Sequence, residues 1–345
     1  MGTSGVHTYE EIVNQPKAWK QALEVTDSLG GAITDLWLDN PEKQVLLTGC
    51  GSTYYLSLAA ASLIRALTGR SAYGVPAGDL FLYPDTTYAH QKPTIMVAIS
   101  RSGTTSETLA AVRHFQATQE GPVVVITNDG ESPLAKRGDL TLAIPAGQER
   151  SIAQTRSFAS MYVAVTALAV RIAGRGDWLK AMSALPDLGE ELIKACHSQV
   201  KSLGERLDMD RFYFLGSGSR YGLAAEANLK MKEMTLTHSE PFHFLEFRHG
   251  PMSMVGKQAA IIGLRSTKNK AYEQNVLEEM ASLGGNVFIL DESDADLNFN
   301  SGLPEAVRNI LYLPPLQLMA FYRSIIKGLN PDKPHNLEAV VRIDI

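Results

Sequence analysis

Apolar residues in this chain come in compact runs rather than in alternation with polar ones. "VLLTG", "TIMVAIS" and "GPVVVITND" punctuate the first half, and "FYFLG", "AAIIGLR" and "GNVFILDES" the second. Runs of this kind predict strands covered on both faces, hence a parallel sheet flanked by helices. Ala/Leu-rich helical stretches follow them, as in "STYYLSLAAASLIRAL" and "LAAEANLKMKEM".

The two halves repeat one plan. "VLLTGCGSTYYLSLAAASLIRAL" and "FYFLGSGSRYGLAAEANLKMKEM" both run strand, Gly-x-Gly-Ser, one residue, Tyr, helix, and Gly49 and Gly51 match Gly216 and Gly218 at one common offset. "TIMVAIS" pairs with "AAIIGLR", and "GPVVVITND" with "GNVFILDES". A repeat of this length indicates duplication of a unit that alternates strand and helix. The predicted fold class is α/β, with two tandem parallel-sheet sandwiches, Asn40 to Ala173 and Asp208 to Gly328. A helical segment, Tyr9 to Leu38 within residues 1–39, precedes the first sandwich. Helices within 174–207 join the two, and a tail, 329–345, carries two prolines and lies outside the repeat.

Composition narrows the functional class. The 345 residues are 45% hydrophobic and 20% charged, the profile of a globular protein with a full core. A net charge of -5 argues against nucleic acid or an anionic membrane as partner. Two cysteines, Cys50 and Cys196, make no disulfide framework and no metal-ligand spacing, which points to a reducing cytoplasm. The opening "MGTSGVHTYEEIVNQP" has no apolar core of a signal peptide, and "MYVAVTALAV", the longest apolar stretch, is too short to cross a bilayer.

Candidate chemistry begins where "TIMVAIS" turns into a helix. Ser100, Arg101, Ser102, Gly103, Thr104, Thr105 and Ser106 crowd hydroxyls into that turn. In parallel sheets ligands bind beyond the carboxyl ends of the strands, and a helix N-terminus there favours an anion. Hydroxyls add donors, and Gly103 is expected to let the backbone approach the ligand closely. This reads as a cradle for a phosphorylated metabolite. It is neither a Walker A loop nor a dinucleotide fingerprint. An ordinary N-cap is the alternative, but a cap needs one hydroxyl. The matching turn of the second half, "LRSTKNKAY", has lost the dense hydroxyl run and its glycine. "GCGSTYY" reads either as a tight packing turn or as a second wall of the site.

In the second half, Glu226, Lys230 and Glu233 lie four and three residues apart, on one helix face. A solvated ion-pair face is the simple reading. The surrounding Ala, Leu and Met instead suggest partial burial, which raises a carboxylate's pKa toward the value a general base for C–H proton transfer needs. "THSEPFHFLEFRHGPM" follows, with His238, His243 and His249. Pro241 interrupts a helix there and no His-Glu-x-x-His pair exists, so no metal is expected. His249, followed by Gly250 and Pro251, has the exposed, shaped setting of a proton-transfer group.

With "EEIVNQP", "CGSTYY", "ISRSGTTSETL", "SIAQTRSF", "EANLKMKE", "FRHGP" and "PLQLMAFYRSIIKGLNPDKPHNL" in this order, the chain resembles the sugar isomerase (SIS) domain family. It resembles the isomerase half of the glutamine–fructose-6-phosphate aminotransferases, and also stand-alone amino-sugar-phosphate deaminases. The resemblance implies that Ser100, Arg101, Ser102, Gly103 and Thr105 hold a sugar phosphate. It implies that Cys50, Gly51, Ser52 and Thr53, with Ile152 and Ala153, line the sugar site. Glu233 would move a proton between C1 and C2, and His249 would assist ring opening from the neighbouring subunit of a homodimer. Glu226 and Lys230 match further active-site positions, the tail would lie over the site, and no cofactor or metal is implied.

Two departures shape the expected activity. The glutaminase domain of the aminotransferases has no counterpart in these residues, and Ala339 stands where their tail carries a Schiff-base lysine. The expectation is a cytoplasmic deaminase/isomerase that converts glucosamine 6-phosphate, or a close relative, into a ketose 6-phosphate and ammonia. Plain aldose–ketose isomerisation, or a synthase-type isomerase, is the alternative. A non-catalytic sugar-phosphate sensor is a further one.

Overall fold

The computed structural model describes residues 4–88 and 92–340. Two five-stranded sheets carry the chain, and every pairing in them is parallel. The first contains β1 (Gln44–Gly49), β2 (Ala72–Pro76), β3 (Thr94–Ser100), β4 (Val123–Thr127) and β5 (Leu140–Ala143), in the order β2-β1-β3-β4-β5. The second contains β6 (Arg211–Leu215), β7 (His238–Phe242), β8 (Ala259–Leu264), β9 (Asn286–Asp291) and β10 (Leu297–Asn298), in the order β10-β9-β8-β6-β7. Read from β7, the second sheet repeats the order of the first strand for strand, as the duplicated sequence requires.

Burial follows the apolar runs. Every residue of β1, β3, β4 and β8 is buried, because helices cover both faces of these central strands. The strands that the apolar pattern does not announce are those at the edges. β7, "HSEPF", contains Pro241 and pairs only with β6, and an edge strand tolerates a missing donor. The interruption expected at Pro241 is therefore a strand rather than a loop.

The chain divides into two compact units. One comprises residues 14–149 and 154–186 with the tail from 338, and holds the first sheet. Its core joins Leu46, Met96 and Val125 of the sheet to Val112 and Phe115 of the helix Ser106–Thr118. "MYVAVTALAV" lies in the helix Arg156–Ile172, which is buried from Ser157 to Val170 and packs on the helix Ser52–Thr68. Among the described residues no helix is long and apolar enough to cross a membrane.

The other unit comprises residues 1–13, 150–153 and 187–337, and holds the second sheet. Tyr213, Leu215 and Ile261 of this sheet pack with Phe244, Phe247, Leu277 and Met280. The helix Arg220–Thr235 lies against β6, β7 and the helix Leu313–Ile326 and is buried over most of its surface. The N-terminal helical segment is two helices, Val6–Ser28 and Gly30–Leu38, with Leu29 between them. Two more, Gly176–Met182 and Leu185–Gly204, occupy the stretch between the repeats.

Candidate active site

In the first sheet the strand order reverses between β1 and β3, so the turns that follow these two strands lie on either side of the carboxyl-edge position at which parallel sheets bind ligands. The turn after β3 is the hydroxyl loop, and it leads into the helix Ser106–Thr118. Thr105 is the N-cap but makes no side-chain cap bond, so the hydroxyls do not serve as an ordinary cap. They organise the loop instead. Ser100 Oγ accepts the Gly103 N–H at 3.1 Å, and Ser102 Oγ accepts the Thr104 N–H at 3.2 Å and the Thr104 hydroxyl at 3.0 Å. Ser102 thereby keeps its own hydroxyl hydrogen to donate. Among the described residues the backbone N–H groups of Ser102 and Thr105 meet no acceptor. These donors stand at the positive end of a helix dipole.

The turn after β1 supplies the other wall. Thr53 Oγ1 accepts the Cys50 N–H at 2.9 Å and donates to the Cys50 carbonyl at 3.0 Å. Cys50 Sγ lies 3.6 Å from Thr108 Oγ1, so Cys50 touches the helix that the hydroxyl loop begins. Burial pushes the Cys50 thiol up to about 11, which makes it a packing group rather than a nucleophile. Gly51 has φ +55°, and a Cβ there would meet nothing within 4 Å, so its face is open. Ser52 is buried and starts the helix Ser52–Thr68.

Two residues of the hydroxyl loop make contacts that the sequence does not announce. A Cβ on Gly103 would lie 2.0 Å from Ser132 Oγ, and φ is +61°. The glycine is required by its left-handed backbone and by its packing against Ser132. Arg101 turns toward the tail. Its Nη2 donates to the Ala339 carbonyl at 2.9 Å, and its Nη1 lies 3.7 Å from Glu149. The Glu149 side chain is fully buried and also accepts the Thr155 N–H and hydroxyl, both at 2.7 Å. Sequence reasoning missed Glu149, because nothing in its spacing marks a carboxylate that reaches both the loop and the start of the helix Arg156–Ile172.

In the other unit, Ile152 is held by a chain segment remote in sequence, and its neighbours Arg150 and Ser151 by another. Ile152 donates its N–H to the Asp332 carbonyl at 3.0 Å, and the Asp332 carboxylate takes the Thr8 N–H and hydroxyl at 2.8 and 2.7 Å. Glu11 accepts the Arg150 N–H at 2.6 Å and the Ser151 N–H at 3.3 Å. No local signal identifies Glu11 or Asp332 in the sequence.

The helix Arg220–Thr235 brings Glu226, Lys230 and Glu233 together. Lys230 Nζ lies 3.4 Å from Glu226 Oε1 and 2.5 Å from Glu233 Oε2. The side chains of Glu226 and Lys230 are sealed, at 0% and 1% exposure, whereas that of Glu233 reaches solvent at 20%. The face is buried, as its Ala, Leu and Met neighbours suggest. One ammonium serves two acids, and the outer acid alone faces outward. His249 ends a short turn, Glu246–Arg248, and is exposed, with Gly250 at φ +119° behind it. His243 instead stacks on Tyr221, ring centroids 4.1 Å apart, and burial pulls its pKa down.

The second sheet also reverses its order, between β6 and β8. There the turn after β8 is closed by carboxylates. Glu273 takes the Ser266 N–H at 2.5 Å, and Glu305 takes those of Thr267 and Lys268 at 3.0 and 3.2 Å. The asymmetry read from the two loops is thus a difference between open and occupied donors.

A family model for the SIS domain matches residues 40–171 and 207–298. The isomerizing glutamine–fructose-6-phosphate aminotransferases of Clostridium perfringens and Pseudomonas putida are 30% and 28% identical to the chain over 97% of its length. The chain spans a little over half of these curated relatives, 58% of each. Among solved structures, a glucosamine-6-phosphate deaminase from Thermotoga maritima shares 27% identity at a TM-score of 0.82, covering 97% of this chain and 99% of that one. A tagatose-6-phosphate ketose/aldose isomerase from Escherichia coli has the same fold at a TM-score of 0.85, with 24% identity and 96% of both chains covered.

The contact at Gly103 carries a direct test. Gly103→Ala should lower the melting temperature, with about 1 kcal/mol from the positive φ and more from the clash. Adding Ser132→Gly should restore the clash component and leave the rest. A single variant as stable as the unaltered chain would contradict this packing.

Proposed function

Since the chain belongs to the SIS domain family, we propose that it is an enzyme that isomerises a phosphorylated sugar, with the phosphate on the loop Ser100–Thr105. The open donors of Ser102 and Thr105, set against the carboxylate-filled turn after β8, carry this reading. Cys50, Gly51, Ser52, Thr53, Ile152 and Ala153 are assigned to the sugar, and the tail from Leu329 to the cover of the site.

The specific activity we propose is deamination of glucosamine 6-phosphate or a close relative. His249 assists ring opening to the free aldehyde. Glu233 removes the C2 proton while the C1 oxygen gains one, giving an enolamine, and returns the proton to C1. The product is an imine at C2, and water converts it into the ketose 6-phosphate and ammonia. Lys230 holds Glu233 at 2.5 Å, and the sealed Glu226 on its other side fixes that ammonium in turn. The substrate brings its own nitrogen, so no imine to a protein lysine is needed, consistent with Ala339 in the tail. The likeness to the Thermotoga maritima deaminase over nearly the whole of both chains supports this choice.

A panel of hexosamine and hexose 6-phosphates, scored for both ammonia and ketose phosphate, tests the assignment. Ammonia and ketose phosphate in equal amounts from an amino sugar are expected. Ketose from a plain aldose phosphate, with no ammonia from any amino sugar, would make the protein an aldose–ketose isomerase. Turnover of no member, with binding intact, would make it a sensor. Glu233→Gln should slow exchange of the C2 proton with solvent by roughly a hundredfold or more while leaving phosphate binding in place.

We further propose a cytoplasmic homodimer in which His249 serves the partner's site. The exposure of His249 in the single chain supports this. Inactive Glu233→Gln and inactive His249→Ala chains should regain activity when mixed and allowed to exchange subunits. No recovery after proven exchange would place both groups in one subunit's site.

A further inference from the structure

The turn after β8 retains the parts of an anion cradle. It lies where the strand order reverses, it precedes the helix Lys270–Ser282, and its backbone N–H groups converge. What fills it is a side chain from a segment nearly forty residues further on. Glu305 Oε2 accepts the N–H groups of Thr267 and Lys268 at 3.0 and 3.2 Å, while Oε1 is bonded to Arg220 Nη1. One carboxylate thus bridges two backbone donors and a guanidinium, as two oxygens of a phosphate would.

We infer that Glu305 is an internal anion seated in a second oxyanion cradle, and that removing it opens this cradle to a tetrahedral oxyanion such as inorganic phosphate. Arg220 makes the strongest case. It is only 4% exposed and is tethered by the Leu264 carbonyl at 3.1 Å and by Glu273 at 3.2 Å, so its charge cannot swing into solvent. Arg308, equally buried, is bonded to the Thr267 hydroxyl and donates to the Leu303 carbonyl at 2.9 Å, and so holds the turn from the other side. The Glu305 side chain is 26% exposed, which gives an incoming anion a path to the vacated position. Glu273 stays beside Arg220 and limits how tightly that anion is held. Glu305 and Arg308 both lie beyond the residues that the family model matches. The outcome is a fold with two cradles, one of which is kept shut by its own chain.

Thermal unfolding in phosphate or sulfate against chloride, at matched ionic strength, tests this with Glu305→Ala and Glu305→Gln. In chloride, Glu305→Ala should melt below the unaltered chain. In phosphate it should gain roughly 3 °C more than the unaltered chain does, in a saturable way. Comparing gains cancels whatever phosphate does at the first loop, and nothing here depends on which sugar that loop holds. Glu305→Gln keeps an oxygen on the Thr267 and Lys268 donors and should show no extra gain. A gain in Glu305→Ala equal to that of the unaltered chain would overturn the inference. If Glu305→Ala does not fold in chloride, recovery of folded protein in phosphate or sulfate supports it, and failure in both salts overturns it.

Discussion

The proposed phosphate loop depends on the reversal of strand order in a parallel sheet. Chains leave β1 and β3 on opposite sides, the two turns separate, and a crevice opens beyond the strand ends. A helix that starts at such a turn leaves its first N–H groups without partners inside the helix, and these must be met by side chains, water or a ligand. The duplicated chain faces this requirement twice and answers it in two ways. After β3, hydroxyls shape the loop and leave donors open, whereas after β8, Glu273 and Glu305 take them. One requirement therefore yields one candidate binding loop and one internal lock.

The acid–base machinery rests on a second constraint, the cost of burying charge. A lone ammonium or carboxylate in an apolar interior costs several kcal/mol. Spacings of four and three residues on the helix Arg220–Thr235 put Glu226 and Glu233 on either side of Lys230, so burial is compensated within one helix. Glu226 and Lys230 are closed off, which leaves Glu233 as the one of these two acids that reaches solvent. The same rule explains Arg101. Its guanidinium lies against the buried Glu149 and the tail carbonyl of Ala339, and so ties the tail to the hydroxyl loop.

The central strands were legible because they are covered on both faces and so read as unbroken apolar runs. β2, β5, β7 and β10 were not, because edge or near-edge strands such as "HSEPF" carry the polar residues and prolines of half-covered structure. The hydroxyl loop and the Glu226, Lys230, Glu233 face were visible as local patterns with helical or turn spacing. Glu11, Glu149, Asp332 and Glu305 were not, since each acts on backbone that the fold alone brings near it. Gly103 is legible as a special position, but its packing is not. Its constraint is the neighbouring Ser132 side chain, which no local pattern reveals.

One loop of each chain, and not its duplicate, is proposed to hold the phosphate of a sugar. Calorimetric titration with an acyclic hexitol 6-phosphate, which binds without reacting, measures this directly. The account predicts one site per chain, weakened roughly tenfold or more by Ser102→Ala, since a hydrogen bond to a charged group contributes about 1.5–3 kcal/mol. Ser266→Ala and Thr267→Ala should leave that affinity unchanged. Two equivalent sites per chain, or equal losses from substitutions in either loop, would contradict it.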